Sequence, residues 1–429
     1  MGSACSYREF DDPAPTNSNI RGPSRAESAV VLATGAVIMF IAVLYFFVHG
    51  QTYVHIDAIA HVNKARGIFD NFTPGLKQLG SIWLPLPHIL VAPLAWFDVL
   101  WATGLAGSIL SAICFVGTGW FLFASATRCA GTRIAGWLAF LFFAFNPRIV
   151  YLFTTPMTEP LMILCASGLV YFLICWIQTE RWQPLALAAL TALGGTLTRY
   201  EGWAIGAASV ALVFAAARRQ RWVTTLLYAA SVCLGPLLWM LYNLAYFDDP
   251  LMFTYGPGSA RDYAAEHFFS TGKAFVTAGS WTQSLSTYFI DVAYCVNPLI
   301  LWLAIAGVVL YGLSSSPAEW RLKSTLLVLA AAPFAFYVYS LYSNTVPILM
   351  PGLVRSEPVS IFNVRYGTIM VATLPIYAAV ALNFVFCRAG TRRKLSFLML
   401  VPLMFPDPTP EASRESIAGQ FTNNLFYTE

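Results

Sequence analysis

The chain has 429 residues, of which 58% are apolar, 15% aromatic and only 11% Asp, Glu, Lys or Arg. A soluble globular chain carries about 25% charge, so this composition excludes a soluble enzyme, a disordered protein and a nucleic-acid binder. The net charge of +4 is small and forms no basic tract, so its meaning lies in which loops carry it. A mean hydropathy of +0.63 marks a chain solvated mostly by lipid.

In chain order, residues 1–28 are polar and rich in Pro, Ser and Asn, which predicts a disordered tail. The apolar run 29–48 is long enough to cross a bilayer and has no small-residue cleavage site behind it, so it reads as a span rather than a removed signal peptide. Further apolar segments lie at 103–126, 134–150, 158–177, 184–198, 203–217, 222–246, 296–313, 324–343, 366–387 and 395–405. The expectation is an all-α polytopic membrane protein with about eleven transmembrane helices. The eight cysteines form no CxxC pair and no Cys/His metal spacing, so they read as reduced, mostly apolar thiols.

Orientation follows from the basic residues. With the N-terminus cytoplasmic, the alternating inner segments hold 15 of the 25 Lys and Arg residues, in mostly short turns. The outer segments are then the long ones, 49–102, 247–295 and 344–365, which predicts an extracytoplasmic working face. Within the first, Asp57 to Asp70 has the pattern of an interfacial amphipathic helix. Ser81 to His88 is too rich in proline for regular helix and reads as a cap that turns back into the membrane.

The acidic residues fall in tails, loops or at span edges, with none in the middle of an apolar run. This counts against an ion-coupled transporter, which needs ionisable groups near the bilayer midplane. The outward-facing acids near the membrane boundary are Asp57, Glu159, Glu201, Asp248 and Asp249; basic groups at that level are Lys64, Arg66, Arg148, Arg199 and Arg365. Carboxylates and guanidiniums at one lipid–water boundary suit chemistry on a lipid phosphate. A carboxylate can take a proton from an attacking hydroxyl, and a guanidinium can stabilise charge growing on a departing phosphate.

Each residue also has a plainer reading. Asp57 suits a helix cap as well as catalysis, and Glu159 suits a favourable charge at a helix start. Arg199 and Glu201 suit a structural pair, and Trp203 an interface anchor. Asp248-Asp249-Pro250 reads first as a helix-ending turn. His55, Asp57 and His61 have a metal-compatible spacing without a third strong ligand nearby, so a divalent metal is the minority reading; His61 supporting Asp57 through a hydrogen bond stands equal to it.

The first outer loop also carries a family resemblance. Asp57-Ala58-x-x-His61-x-x-x-Ala65-Arg66, then Thr73-Pro74-Gly75-Leu76-x-Gln78-Leu79-Gly80 and Trp83-Leu84-Pro85-Leu86-Pro87-His88, resembles the GT-C membrane glycosyltransferases, nearest to the bacterial and archaeal protein O-mannosyltransferase and aminoarabinose-transferase group. Asn363-Val364-Arg365-Tyr366-Gly367 adds a looser similarity. The resemblance implies a catalytic module over 29–250, a variable transmembrane module over 251–406 and a polar extracytoplasmic tail over 407–429, where many relatives carry a soluble domain. It implies a prokaryotic inner-membrane enzyme that moves a sugar from a polyprenyl-phosphate donor to a hydroxyl acceptor with inversion and without an essential metal. Asp57 takes the place of the catalytic aspartate, and Glu159 that of a second acid. His61, Lys64, Arg66, Trp83, His88, Arg148, Arg199, Tyr200, Glu201, Arg365 and Tyr366 are then candidates for binding donor and acceptor. Many relatives have an Asp-Glu pair in this loop, whereas Ala58 follows Asp57 here. The rival readings are a lipid-linked saccharide flippase, a glycan polymerase or ligase, and a non-catalytic membrane partner.

Overall fold

In a computed structural model of the chain, residues 22–259, 261–262, 277–313, 320–346, 348 and 364–388 are described. The predicted span at 395–405 and the tail at 407–429 lie outside them, as does most of the loop 344–365. The described residues are all-helical, with no strand.

The helices are α1 (Arg25–Val48), α2 (Ile56–Gly67), α3 (Leu86–Ala95), α4 (Asp98–Thr103), α5 (Leu105–Ala130), α6 (Arg133–Ala144), α7 (Pro147–Leu152), α8 (Glu159–Thr179), α9 (Trp182–Thr196), α10 (Glu201–Ala216), α11 (Arg221–Phe247), α12 (Met252–Tyr255), α13 (Trp281–Val296), α14 (Pro298–Leu313), α15 (Trp320–Tyr342) and α16 (Leu374–Arg388), with a 3₁₀ helix at Tyr366–Ala372 before the last. Five of them, α1, α5, α8, α11 and α15, are long and apolar enough to cross a membrane. The number rises to seven if α13 with α14, and the 3₁₀ helix with α16, each form one broken span. Helices therefore stand at ten of the eleven predicted segments, but α6, α9 and α10 are shorter than a full crossing needs.

The helices at the rim show what solvates them. Phe40 and Ile41 on α1 are 71% and 61% exposed, and Leu226 and Leu227 on α11 are 66% and 68% exposed. Isolated exposed leucines need no explanation, but whole apolar helix faces in this state suit acyl chains. Helix α8 sits at the opposite extreme, with both its acidic start and its apolar length buried. Apolar area gives little drive between helices in lipid, so close packing must hold them. Small residues supply it where α9 meets α8: Ala188, Ala192 and Gly195 are buried, and Gly195 lies beside Met162 and Cys165.

One segment departs from the sequence-based expectation. Residues 281–295, expected in a long loop, form helix α13, buried along one face, which meets α14 at 109° across Asn297. Tyr288, Asp291 and Cys295 on one face of α13 are fully or almost fully buried. Asp291 thus corrects the expectation that no acid sits among apolar helices. The composition of 281–296 is too mixed in Ser, Thr and Gln for a hydropathy window to register it.

The turn between α9 and α10 is short and closely packed. A Cβ at Gly202 would lie 2.2 Å from the Gly195 carbonyl oxygen, so only glycine lets the two helices close this nearly. The Trp203 indole donates to the Thr196 carbonyl at 2.8 Å and straps the same turn. That closure carries Arg199 and Glu201 to the start of α8.

Candidate active site

Four separate segments meet at one end of the helix bundle: the start of α2, the start of α8, the α9–α10 turn and the start of the 3₁₀ helix. Asp57 is the second residue of α2. Its carboxylate does not cap that helix; instead it accepts a hydrogen bond from Arg365 Nη2. The Arg365 Nε atom lies 2.8 Å from Glu159 Oε1. The same Glu159 oxygen accepts from Arg199 Nη1 at 3.1 Å, and Arg199 Nε donates to Glu201 Oε1 at 2.5 Å. Arg199 also donates to the Thr158 hydroxyl at 2.9 Å.

Three carboxylates and two guanidiniums thus alternate in a single chain, Asp57–Arg365–Glu159–Arg199–Glu201. Its formal charge is 2 − 3 = −1. The Tyr366 ring lies under both guanidiniums, 5.7 Å from Arg365 and 5.6 Å from Arg199, a cation–π geometry that fixes their planes. The side chains of Glu159 and Glu201 are only 4% and 5% exposed, whereas that of Asp57 is 29% exposed. The charge chain runs from a buried end to an accessible one, and Asp57 is the accessible end.

Burial pushes the Asp57 carboxyl up, but the surrounding groups, Arg365 foremost through its charge and its hydrogen bond, together outweigh burial and hold the group below its ordinary value. Asp57 is therefore ionised at neutral pH. Burial opposes the charge on Arg365 and on Arg199, yet their carboxylate neighbours outweigh it and raise both. On Arg365 the two carboxylates lie at Nη2 and Nε; Nη2 donates to Asp57, while Nε pairs with Glu159 by charge and proximity without donating a hydrogen bond.

One helical turn beyond Asp57, a histidine pair has its tautomers set by a carbonyl. His88 Nδ1 lies 3.1 Å from the Leu84 carbonyl oxygen, which only accepts, so the proton sits on that nitrogen. His88 Nε2 then accepts from His61 Nδ1 at 3.0 Å, and a neutral His61 keeps its Nε2 lone pair unprotonated. Burial pushes the His61 imidazole down to about 3, so it is neutral at pH 7. The His61 ring lies 4.3 Å from that of Trp83, and Lys64 Nζ sits 5.4 Å from the Trp83 ring while donating to the Leu79 carbonyl at 3.3 Å. His61, His88 and Thr158 line a cavity closed by apolar side chains that include Val91, Met157 and Leu161.

Other candidates stand apart. Arg66 is occupied by Asp70, Asp98 and the carbonyls of Ala95 and Trp96, so it anchors α2 to α3 and α4. Arg148 lies over the Tyr294 ring at 3.3 Å rather than in the charge chain. The Tyr200 hydroxyl donates to the Ile82 carbonyl at 2.6 Å and accepts from the Trp239 indole at 3.2 Å, which ties the loop 76–85 to α11. Asp248 takes a left-handed conformation at the end of α11, and Asp249 accepts from the Leu251 amide at 2.8 Å, in keeping with a helix-ending turn. His61 bonds to His88 and not to Asp57, so the hydrogen bond expected between His61 and Asp57 is replaced by one within the histidine pair. Among the described residues, no three His, Cys, Asp or Glu side chains converge as a metal-ligand group.

Residues 95–242 match the family described as dolichyl-phosphate-mannose-protein mannosyltransferase. The matched segment begins at the end of α3, runs into α11 and includes Glu159, Arg199 and Glu201; Asp57 and Arg365 lie outside it. No curated protein matches the sequence. The family match supports a membrane glycosyltransferase of the GT-C type, the class that the first loop resembles.

Proposed function

We propose that the protein transfers a sugar from a polyprenyl-phosphate donor to a hydroxyl acceptor, on the extracytoplasmic face, in one inverting displacement. The observation that carries this reading is the bridging of Asp57 and Glu159 by a single guanidinium, that of Arg365. An ionised carboxylate and a guanidinium stand side by side at the accessible end of the cluster. That is the pair of tools the displacement needs.

In this reading the acceptor oxygen attacks the anomeric carbon, and its proton passes to Asp57 as the new carbon–oxygen bond forms. The bond from the anomeric carbon to the phosphate oxygen breaks with its electron pair, so the phosphate goes from one negative charge to two. Arg365 gains interaction energy only as that charge grows, which is stabilisation of the transition state rather than tighter ground-state binding. Glu159 and Arg199 hold Arg365 in place from the buried side. The guanidiniums supply the positive charge here, and no metal ion is required. The exposed apolar faces of the bundle suit an isoprenoid tail lying in the bilayer with its head group at the level of Asp57.

The test is incubation of the purified protein with a panel of labelled polyprenyl-phosphate sugars and hydroxyl acceptors. Transfer that disappears in Asp57→Asn supports the reading. Transfer that survives undiminished in that variant removes Asp57 from its role, and movement of the lipid-linked sugar across vesicles without bond cleavage selects the flippase instead.

A further inference from the structure

The geometry points to Asp291 as a positioning residue for Arg365, acting through the backbone rather than through the guanidinium. Three side chains on one face of α13, at spacings of three and four residues, bond to backbone groups of residues 364, 366 and 367, which flank Arg365. The Cys295 thiol donates to the Val364 carbonyl at 2.6 Å. The Tyr288 hydroxyl donates to the Tyr366 carbonyl at 3.4 Å. Asp291 Oδ2 accepts from the Gly367 amide at 2.8 Å. The clamp thus grips the chain on both sides of Arg365.

Asp291 is the strongest member of this clamp. A carboxyl oxygen accepts from a backbone amide whether or not the group carries a charge, and the site is completely buried, so no water competes for the amide. Gly367 is the complement on the other side. A Cβ there would fall 2.8 Å from the Val292 Cα and 2.9 Å from the Asp291 carbonyl oxygen, so the segment rests directly on the α13 backbone. Neither Arg365 nor Arg199 donates to Asp291. Its influence on the charge chain therefore passes through the position of the Arg365 Cα. Displacing a positioned cation by about 1 Å can cost about 100-fold in rate.

The experiment uses the full chain in detergent and two readouts. The first is a thermal double-mutant cycle between Asp57→Ala and Arg365→Gln, measured in the wild-type, Asp291→Asn and Asp291→Leu backgrounds. Asparagine keeps an oxygen acceptor for the Gly367 amide, and leucine fills the volume without one. The coupling is expected to be present in wild type, retained in Asp291→Asn and lost in Asp291→Leu. Equal coupling in the two Asp291 backgrounds, whether kept or lost, overturns the proposal. If Asp291→Leu fails to fold, Cys295→Ala removes the other arm of the clamp, and undiminished coupling there is the overturning result.

The second readout rests on the transferase reading. Asp291→Leu should lower kcat about 100-fold with the acceptor KM unchanged, and should add no further loss in an Arg365→Gln background. Multiplicative losses in the double variant count against the proposal. If no sugar is transferred by the wild-type protein, the thermal cycle still decides the role of Asp291, so the two ideas fail separately.

Discussion

Arg365 and Asp57 are hydrogen-bonded across 308 residues of chain, and the same guanidinium reaches Glu159 from its other edge. Neither carboxylate has Arg365 as a sequence neighbour, so this joint is a product of the fold alone. It ties the first loop to the last described span and makes the accessible end of the charge chain depend on the buried end.

Replacing Asp57 tests the chemistry with the least disturbance of that joint. Asparagine has the same shape and still accepts from Arg365, but it cannot take a proton. Transfer by Asp57→Asn should fall by at least about 100-fold, the lower bound of what a positioned base contributes, while the melting temperature stays near that of wild type. Arg365→Lys keeps the charge but loses the planar fork that spans two carboxylates. It should lose comparable activity and, unlike Asp57→Asn, also lower the melting temperature. Steady-state kinetics and thermal unfolding of the two variants side by side check both statements.

The order of charges in the chain predicts which deletion the fold tolerates. Glu159→Gln leaves Arg365 paired with Asp57 and Arg199 paired with Glu201, so every remaining charge keeps a partner. The cost should be about 1–2 kcal/mol, that of weakened hydrogen bonds. Arg199→Ala strands Glu201, whose side chain is 5% exposed and has Arg199 as its ion-pair partner. Removing one partner of a buried pair costs about 3–5 kcal/mol. Chemical or thermal unfolding in detergent should therefore rank Arg199→Ala as the more destabilised, although Glu159 is the more buried and central-looking residue. The reverse ranking would mean that the cluster is held by its middle carboxylate and not by its pairs.

The pH profile should report the Asp57–Arg365 pairing. Arg365 helps to hold the folded Asp57 carboxyl below its ordinary value of 3.8, so this carboxylate is ionised, and its pairing with Arg365 present, above that value. Both are lost only as the pH falls through the lower folded value. Wild-type kcat/KM should consequently show its acidic limb below about pH 4. In Arg365→Gln the opposing effect of burial is offset less, and whatever activity remains should show that limb at higher pH. An unmoved limb would assign it to another group.

Much of the cast was legible in the sequence, whereas the pairings were not. Asp57, Glu159, Arg199, Glu201 and Arg365 stand out because charged residues at the edges of apolar runs are costly and few. Their mutual order follows from how the α9–α10 turn and the 3₁₀ helix approach α8, and no local pattern encodes that approach. Arg66 and Arg148 carry the same sequence signal and are used for structure, since composition and position cannot tell an anchored guanidinium from an available one. Asp291 was hidden for a different reason: its helix is polar enough to resemble a loop, and it is buried because the neighbouring helices cover it. Spacing of apolar residues located the helices, while the shortness of α6, α9 and α10 and the 109° bend at Asn297 depend on tertiary packing.

His61 should make the protein more stable as the pH rises through the weakly acidic range. In the unfolded chain its imidazole binds a proton below about pH 6.5, whereas burial in the fold holds it neutral down to about 3. Between those values the unfolded state carries the extra proton, so stability falls as the pH drops and recovers as it rises. One such histidine contributes about 1.4 kcal/mol per pH unit in that window, or about 2 kcal/mol between pH 6.5 and 5. The carbonyl of Leu84 strengthens the effect by fixing the His88 proton on Nδ1, which leaves Nε2 able to accept from a neutral His61 but would set two donors against each other if both rings were charged. Melting temperatures at pH 5, 6 and 7 should show this slope in wild type and a shallower one in His61→Gln, which keeps a hydrogen bond to His88 without a titrating ring. Equal slopes in the two proteins would show that the imidazole is protonated in the fold, and the directed His61–His88 bond would then have to be abandoned.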